Sequence, residues 1–497
     1  MNSTLQLHTA FLIDDVDPRI FGGFLEHLGR AVYEGVYEPQ SRHADETGCR
    51  KDVLDALKRL KFTAMRYPGG NFVSGYHWQD AIGPKNKRPR VRDLAWQSLE
   101  PNEFGPDEFI PLARRMNWTP MMAVNLGTGT PEEARNWLEY CNLESGSKWA
   151  DLRIANGHKQ PHNVKLWCLG NEMDGPWQIG CVPAETYAVN AQQTARMMKM
   201  VDPSVELIVC GSCTPDLPTY LEWDRKVLEY CRNDVEFISM HRYVGNEASD
   251  TPDFLAVGNS VDEQIEAMDS VCKAAQRTKR TKQRVYLSFD EWNVWYRART
   301  GSHVDGRGKF APHLLEEVYN LEDALVVGQF LNSFIRHADS VKIANIAQIV
   351  NVIAPILTRG EEIVLQTIFY PIEMMTKRRA GKSMRISIVG PGYESKSFGP
   401  TKFLDASAIL NGNQLSLFGV NRSLEESMDL EIHLSGSRIA KQINGEIISG
   451  NDPKASNTFE QPNRIVPREF KEAAINSGRA TMKLPPLSVF AATFQVT

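Results

Sequence analysis

Apolar residues recur along most of this chain with two alternating periods. Val53, Leu54, Leu57 and Leu60 fall at helical spacing, and the segment 62–66 directly after them reads as a short buried strand. The same succession repeats, giving eight candidate strands at 22–25, 62–66, 121–124, 164–169, 206–210, 235–240, 285–289 and 341–347. Parallel strands need crossovers long enough to hold a helix, so this alternation predicts an α/β fold, a closed parallel (β/α)8 barrel. The stretches 82–103 and 296–312, rich in Gly, Pro and charge, read as long loops that build the rim of a pocket. After about residue 375 the period changes to two, in short runs such as 415–420, 428–434 and 487–496 parted by Gly, Asn, Ser and Pro. That pattern predicts an antiparallel β-sandwich. Leu5, Leu7, Thr9, Phe11 and Ile13 also alternate and are expected to join it. The expected division is a barrel over 17–375 and a sandwich made of 1–16 with 376–497.

Composition narrows the partners. The 497 residues, 42% hydrophobic and 24% charged, describe an ordinary globular protein able to bury a large core. A net charge of −5 gives no footprint for nucleic acid, since Lys and Arg are dispersed except near Lys85–Arg92. No basic segment and apolar run open the chain, and no uninterrupted apolar stretch of about 18 residues occurs, so no membrane partner is expected and the reading is a cytoplasmic protein. Eight scattered cysteines argue against a disulfide scaffold. Cys210 and Cys213 have C-x-x-C spacing without a second pair, and read as structural thiols.

The chemistry sits at the strand ends. In such a barrel, polar residues just beyond the carboxyl ends of the strands face the catalytic mouth. Here they are Glu26, Arg66 with Asn71, Asn125, Asn171-Glu172, His241 with Tyr243, Asp290-Glu291 and Gln348. A lone Asn or Gln at such a place is as often a loop residue bonding nearby backbone; seven of eight strand ends sharing the trait is not. Two of the positions hold carboxylates among aromatics, in LWCLGNEMDGPW and VYLSFDEWNVWY. Paired carboxyl groups in an aromatic cleft are what glycoside hydrolysis needs: one protonates the leaving oxygen, the other attacks or stabilises an oxocarbenium-like centre. Glu172 then needs apolar neighbours such as Trp177, while Glu291 stays ionised beside donors such as Arg66 and Tyr243. Trp96, Trp177, Trp292 and Trp295 offer flat faces for a sugar. No G-x-G-x-x-G, G-x-x-x-x-G-K-[ST], H-E-x-x-H or G-x-S-x-G occurs, which leaves nucleotide, metal and esterase chemistry without a signal. Of the eleven histidines, only His27, His77 and His241 fall beside the expected mouth.

Over nearly its whole length, through FGGFLEHLGR, MRYPGGNFVSGYHWQDAIGP, LAWQSLEPNEFG, WCLGNEMDGPWQIG, HRYVGN, DEWNVWY and NIAQIVNVIAPI, the chain resembles the α-L-arabinofuranosidases of glycoside hydrolase family 51. The resemblance implies a (β/α)8 barrel with a carboxyl-terminal jelly roll joined by the first strand. It implies Glu172 as general acid/base, Glu291 as nucleophile and net retention. Glu26, Arg66, Asn71, Asn171, Tyr243 and Gln348 would then hold the furanose and the nucleophile, with His241 near the acid/base and Trp96 and Trp295 lining the pocket. It further implies no cofactor and no metal, a hexamer, and arabinose-containing oligosaccharides from arabinoxylan or arabinan as substrates. A β-xylosidase or endo-β-glucanase on the same machinery is the alternative, and a non-catalytic carbohydrate-binding protein is the reading from another class.

Overall fold

The computed structural model describes residues 1–278, 283–299 and 306–497; of the rim segment 296–312, positions 300–305 lie outside the described residues. Eight strands, Gly22–Phe24, Ala64–Tyr67, Thr119–Val124, Leu166–Leu169, Glu206–Val209, Phe237–Val244, Tyr286–Val294 and Val341–Ala347, pair in that order and close on themselves. Every pairing is parallel, as in a TIM barrel. Val73, Met121, Ala123, Leu166, Cys168, Ile208, Phe237 and Ile343 form a buried cluster of their own among these strands. Strands this short read as apolar runs because both of their faces are covered.

Helices supply the outer layer, and their ends follow the local sequence. Thr130 accepts a hydrogen bond from the Glu133 amide at 3.1 Å and Pro131 opens the helix Pro131–Asn142, the residue types a helix start favours. Helix Lys51–Leu60 buries Val53, Leu54, Ala56, Leu57 and Leu60, and stops at Lys61 in the left-handed region at φ 49°. The helix Leu321–Arg336 is nearly all buried because the barrel lies on one side of it and the carboxyl-terminal sheet on the other. Its polar side chains are answered from that sheet. Asn332 donates to Asp405 at 2.6 Å, Arg336 pairs with Asp405 at 2.9 Å, and Arg422 donates to Gln329 at 2.7 Å.

The second unit is a ten-stranded sheet with its own apolar core, including Leu5, Leu7, Met384, Leu417, Ile432, Phe490 and Phe494. The amino-terminal strand Asn2–Asp15 lies inside it, antiparallel to Lys382–Val389 and parallel to Met428–Ser435. The sheet is therefore mostly rather than wholly antiparallel. The alternation expected of the first strand holds for Leu5 and Leu7 and then stops: the pairing shifts register between Leu7 and Leu12, and Phe11 is 58% exposed. A bulge moves a side chain to the other face, and period counting alone does not foresee one.

Two barrel strands run further than the sequence pattern indicated. The sixth and seventh continue pairing to Val244 opposite Val294, so His241, Tyr243 and Glu291 lie within strands rather than just beyond them. On both sides of Asp290-Glu291 the seventh strand shifts register against its neighbours, between Ser288 and Glu291 and between Phe289 and Trp292.

Candidate active site

That irregularity decides which side chains enter the barrel. In a regular strand consecutive residues face opposite ways. Here Asp290 and Glu291 both reach Arg66, whose Nη1 donates to Glu291 Oε1 at 2.7 Å and whose Nε lies 3.4 Å from Asp290 Oδ2. Tyr243 donates its hydroxyl to Glu291 Oε2 at 2.9 Å. The second guanidinium arm of Arg66 donates to Asn171 Oδ1 at 2.7 Å, and the Phe24 ring lies under it at 4.7 Å. Arg66 is 1% exposed, and the neighbouring charges of Asp290 and Glu291 overcome the burial that would discharge it.

Across the mouth, Glu172 follows the fourth strand in a left-handed conformation at φ 44°, uncommon for a residue with a side chain and found where surrounding structure enforces it. This turn lets Asn171 and Glu172 both face the mouth. Glu172 Oε1 meets His241 Nδ1 at 2.9 Å and Oε2 accepts from Trp177 Nε1 at 2.6 Å. Trp177 therefore touches Glu172 through its N–H rather than through the apolar face expected of it, and the ring is 51% exposed.

One imidazole joins the two carboxylates. Oxygens of Glu172 and Glu291 and a ring nitrogen of His241 all lie within 4.8 Å of one another. His241 Nε2 lies 3.3 Å from Asp290 Oδ1, a charge contact rather than an aligned hydrogen bond. Burial works against a charged His241, but Glu291, Asp290 and Glu172 override it and lift the imidazolium to about 10. Asp290, opposed by burial, is held below the usual carboxylate range by Arg66 and His241. By residue type the trio Glu172, His241 and Glu291 is the one group among the described residues that could hold a metal ion. Its ligand atoms are already engaged by Arg66, Tyr243 and Trp177, and the Arg66 guanidinium supplies the positive charge that a cation would bring.

Glu26 closes the opposite wall. Its Oε1 accepts from Trp96 Nε1 at 3.0 Å and from the Phe72 amide at 3.0 Å, and its Oε2 accepts from Gln348 Nε2 at 2.9 Å. Burial first, then the Glu291 charge, raise Glu26 to about 7. Trp295 packs edge-on against Tyr243 with centroids 5.4 Å apart, and Asn71 is half-buried at the start of the turn Asn71–Gly75. All eleven residues singled out from the sequence thus lie on the mouth-side ends of the strands or on the loops that follow them.

Others named with them do not serve the mouth. Asn125 ties its own loop, accepting from the amides of Gly127, Thr128 and Gly129 and donating to the Tyr76 carbonyl. Trp292 is 1% exposed and stacks on Phe330 at 5.1 Å, between barrel and helix. His27 is buried between Glu100 and Tyr67, and His77 pairs with Glu133. Cys210 and Cys213 are free thiols that burial pushes up; the Cys213 amide donates to Asp174 at 3.1 Å.

Two residues carry more than the sequence reading gave them. Asp290 was named with Glu291 at the seventh strand end but received no role, because alternation assigns one of the two to the outside. Gly70 is the second and was not singled out. A Cβ there would stand 2.8 Å from Glu291 Oε1, 3.3 Å from Asn171 Nδ2 and 3.5 Å from Glu26 Oε2, so the bare backbone makes room among three polar groups. The Gly-Gly pair before Asn71 was its visible trace.

Comparison with known proteins agrees over both units. The family description "Alpha-L-arabinofuranosidase 1 domain" matches residues 56–262, and "Alpha-L-arabinofuranosidase C-terminal domain" matches residues 290–488. The Bacillus subtilis (strain 168) protein named "Intracellular exo-alpha-(1->5)-L-arabinofuranosidase 1" is 44% identical, with 96% of each chain covered. A Bifidobacterium longum protein named "Exo-alpha-(1->6)-L-arabinofuranosidase" is 40% identical over 98% of this chain and 96% of its own. Among solved structures, a family 51 α-L-arabinofuranosidase from Bifidobacterium longum superposes with a TM-score of 0.95 at 38% identity, covering 99% of both chains. With likeness of this extent running through barrel, mouth and sheet alike, the chain belongs to the α-L-arabinofuranosidases of glycoside hydrolase family 51.

Proposed function

We propose that the protein is a retaining, exo-acting α-L-arabinofuranosidase that releases terminal L-arabinofuranosyl groups from arabinan and arabinoxylan oligosaccharides, with Glu291 as nucleophile and Glu172 as acid/base. The observation that carries this reading is the approach of the two carboxylates to within 4.8 Å. A retaining pair stands about 5–5.5 Å apart, whereas an inverting pair stands about 6.5–9.5 Å apart to admit a water.

The surroundings divide the roles. Glu291, gripped by Arg66 and Tyr243, is aimed for attack on the anomeric carbon. Glu172 gives its proton to the departing glycosidic oxygen as the C–O bond breaks. It then takes a proton from the water whose oxygen displaces Glu291, so two inversions give retention. Above Gly70 the furanose ring would meet Glu26, Asn71, Asn171 and Gln348 as hydrogen-bond partners, with Trp96 and Trp295 as walls. The names of the relatives favour α-1,5-linked substrates and work inside the cell, and the hexamer implied by the sequence resemblance is the expected assembly.

Replacing each glutamate by Ala tests the roles. Glu291→Ala forms no covalent intermediate and is expected to be inert on every substrate. Glu172→Ala should still attack 4-nitrophenyl α-L-arabinofuranoside, whose leaving group departs unaided, and azide should then accelerate turnover. Equal inertness of both, with azide present, overturns the assignment. Hydrolysis mainly of 4-nitrophenyl β-D-xylopyranoside or a soluble β-glucan would keep the machinery and replace the substrate.

A further inference from the structure

We propose that Asp290 is a positioning residue that fixes the ring and the charge of His241, so that the His241–Glu172 pair holds one shared proton for the acid/base step. This rests on the reading of Glu172 as acid/base and goes beyond it by assigning the carboxylate behind the histidine.

The geometry is a line of three groups. Asp290 Oδ1 faces His241 Nε2 at 3.3 Å, and His241 Nδ1 faces Glu172 Oε1 at 2.9 Å. Asp290 is 0% exposed and His241 1%, so water does not screen the contact. Facing the imidazole are Glu172 after the fourth strand and Asp290 with Glu291 on the seventh, with the Arg66 guanidinium on the second strand beyond those two. The Asp290 charge faces Nε2 and favours a proton there, which leaves Nδ1 as the nitrogen that trades a proton with Glu172. In the resting site the shared proton sits on Nδ1. When it passes to Glu172 the N–H electron pair stays on the ring, which becomes neutral with Nε2 still protonated, and an O–H bond forms on Glu172. After Glu172 has collected a proton from water, the reverse passage restores the imidazolium. No other reactant is needed.

Asp290 also lies 3.4 Å from Arg66 Nε and accepts from Cys168 Sγ at 3.8 Å. A purely structural account would make it the counter-charge of Arg66 alone. The two accounts differ in what happens to the proton on His241.

The experiment compares wild type with Asp290→Asn, which keeps the shape and removes the charge. Wild type labelled with 15N-histidine should show His241 as imidazolium at pH 7 to 8, whereas Asp290→Asn should show it losing the proton at lower pH. For kcat/KM on α-1,5-arabinobiose, whose leaving group needs an acid, the basic limb should move down by about 1–3 pH units, the usual effect of one close charge. On the 4-nitrophenyl substrate the same variant should lose far less. A neutral His241 in wild type at pH 7 overturns the proposal without any variant being made. A folded Asp290→Asn whose kcat falls while the basic limb and the His241 signal stay in place also overturns it. The spectroscopic half needs no turnover, so a protein that cleaves no arabinofuranoside but loses the His241 proton in Asp290→Asn would sink the functional reading and leave this one standing.

Discussion

Replacing Gly70 by alanine puts a single methyl group against the proposed nucleophile. Its carbon would stand 2.8 Å from Glu291 Oε1, where ordinary contact begins at 3.4 Å, so about 0.6 Å must be found. Glu291 is the neighbour that moves, since the other two contacts, at 3.3 and 3.5 Å, are close to ordinary. A shift of this size stretches the 2.7 Å bond from Arg66 Nη1. A hydrogen bond to a charged group contributes about 1.5–3 kcal/mol, and a displacement of about 1 Å at a reacting centre costs about 100-fold in rate. The expectation is a loss of about 30- to 100-fold in kcat for 4-nitrophenyl α-L-arabinofuranoside, with the fold kept, as thermal unfolding would report. Gly75→Ala is the matched control, because five residues along the same turn its nearest neighbours lie at 3.8 Å. A Gly70→Ala enzyme within threefold of wild type, or a control that fails equally, would refute the idea that backbone bareness at Gly70 sets the place of Glu291.

Glu26, lifted to about 7 from an ordinary 4.5, stabilises the fold as the neutral acid; that contribution is complete below about pH 4.5 and is lost as pH rises through about 7. Glu26→Gln should therefore gain on wild type in urea midpoint between pH 5 and 8, by a few kcal/mol at most, while its activity falls; a pH-independent gap would contradict the raised acid. Asp405 receives Asn332 and Arg336 from the helix between barrel and sheet. Asp405→Ala should cost about 3 kcal/mol in denaturant titration because it strips buried donors of their acceptor, with kcat unchanged; an unaltered midpoint would mean that the helix is held by apolar packing alone.

The barrel was legible because its strands are short apolar runs covered on both faces, and their number and order follow from the alternation with helices. The two glutamates were legible because polar residues at such strand ends have few structural reasons to be there. What stayed hidden depends on position to within one residue. Asp290 was visible at its strand end, but its joining Glu291 inside the barrel depends on the irregular strand beside it, and Phe11 turns to solvent for the same kind of reason. Trp177 and Trp292 show a different blind spot. Both are tryptophans flanking a candidate glutamate, yet one is half in solvent with its N–H on Glu172 and the other is sealed against Phe330. Residue type names the chemistry available; the direction of the side chain selects the part of it that is used.

The place of the strand Asn2–Asp15 has a consequence for how the molecule comes into being. It is synthesised well before its partners Lys382–Val389 and Met428–Ser435. At translation rates of about 5–20 residues per second, it waits roughly 20–80 s for the first of them. Through that interval Leu5 and Leu7 have nothing to cover them, and the strand presents two unpaired edges. The barrel can close meanwhile, but the helix Leu321–Arg336 keeps its sheet-facing side bare until the strands Leu404–Asn411 and Gln414–Asn421 arrive. The nascent chain is therefore most prone to clump with its neighbours before those strands are made, and a protein lacking residues 1–15 would carry that hazard permanently, as an open slot between Ile388 and Ile432.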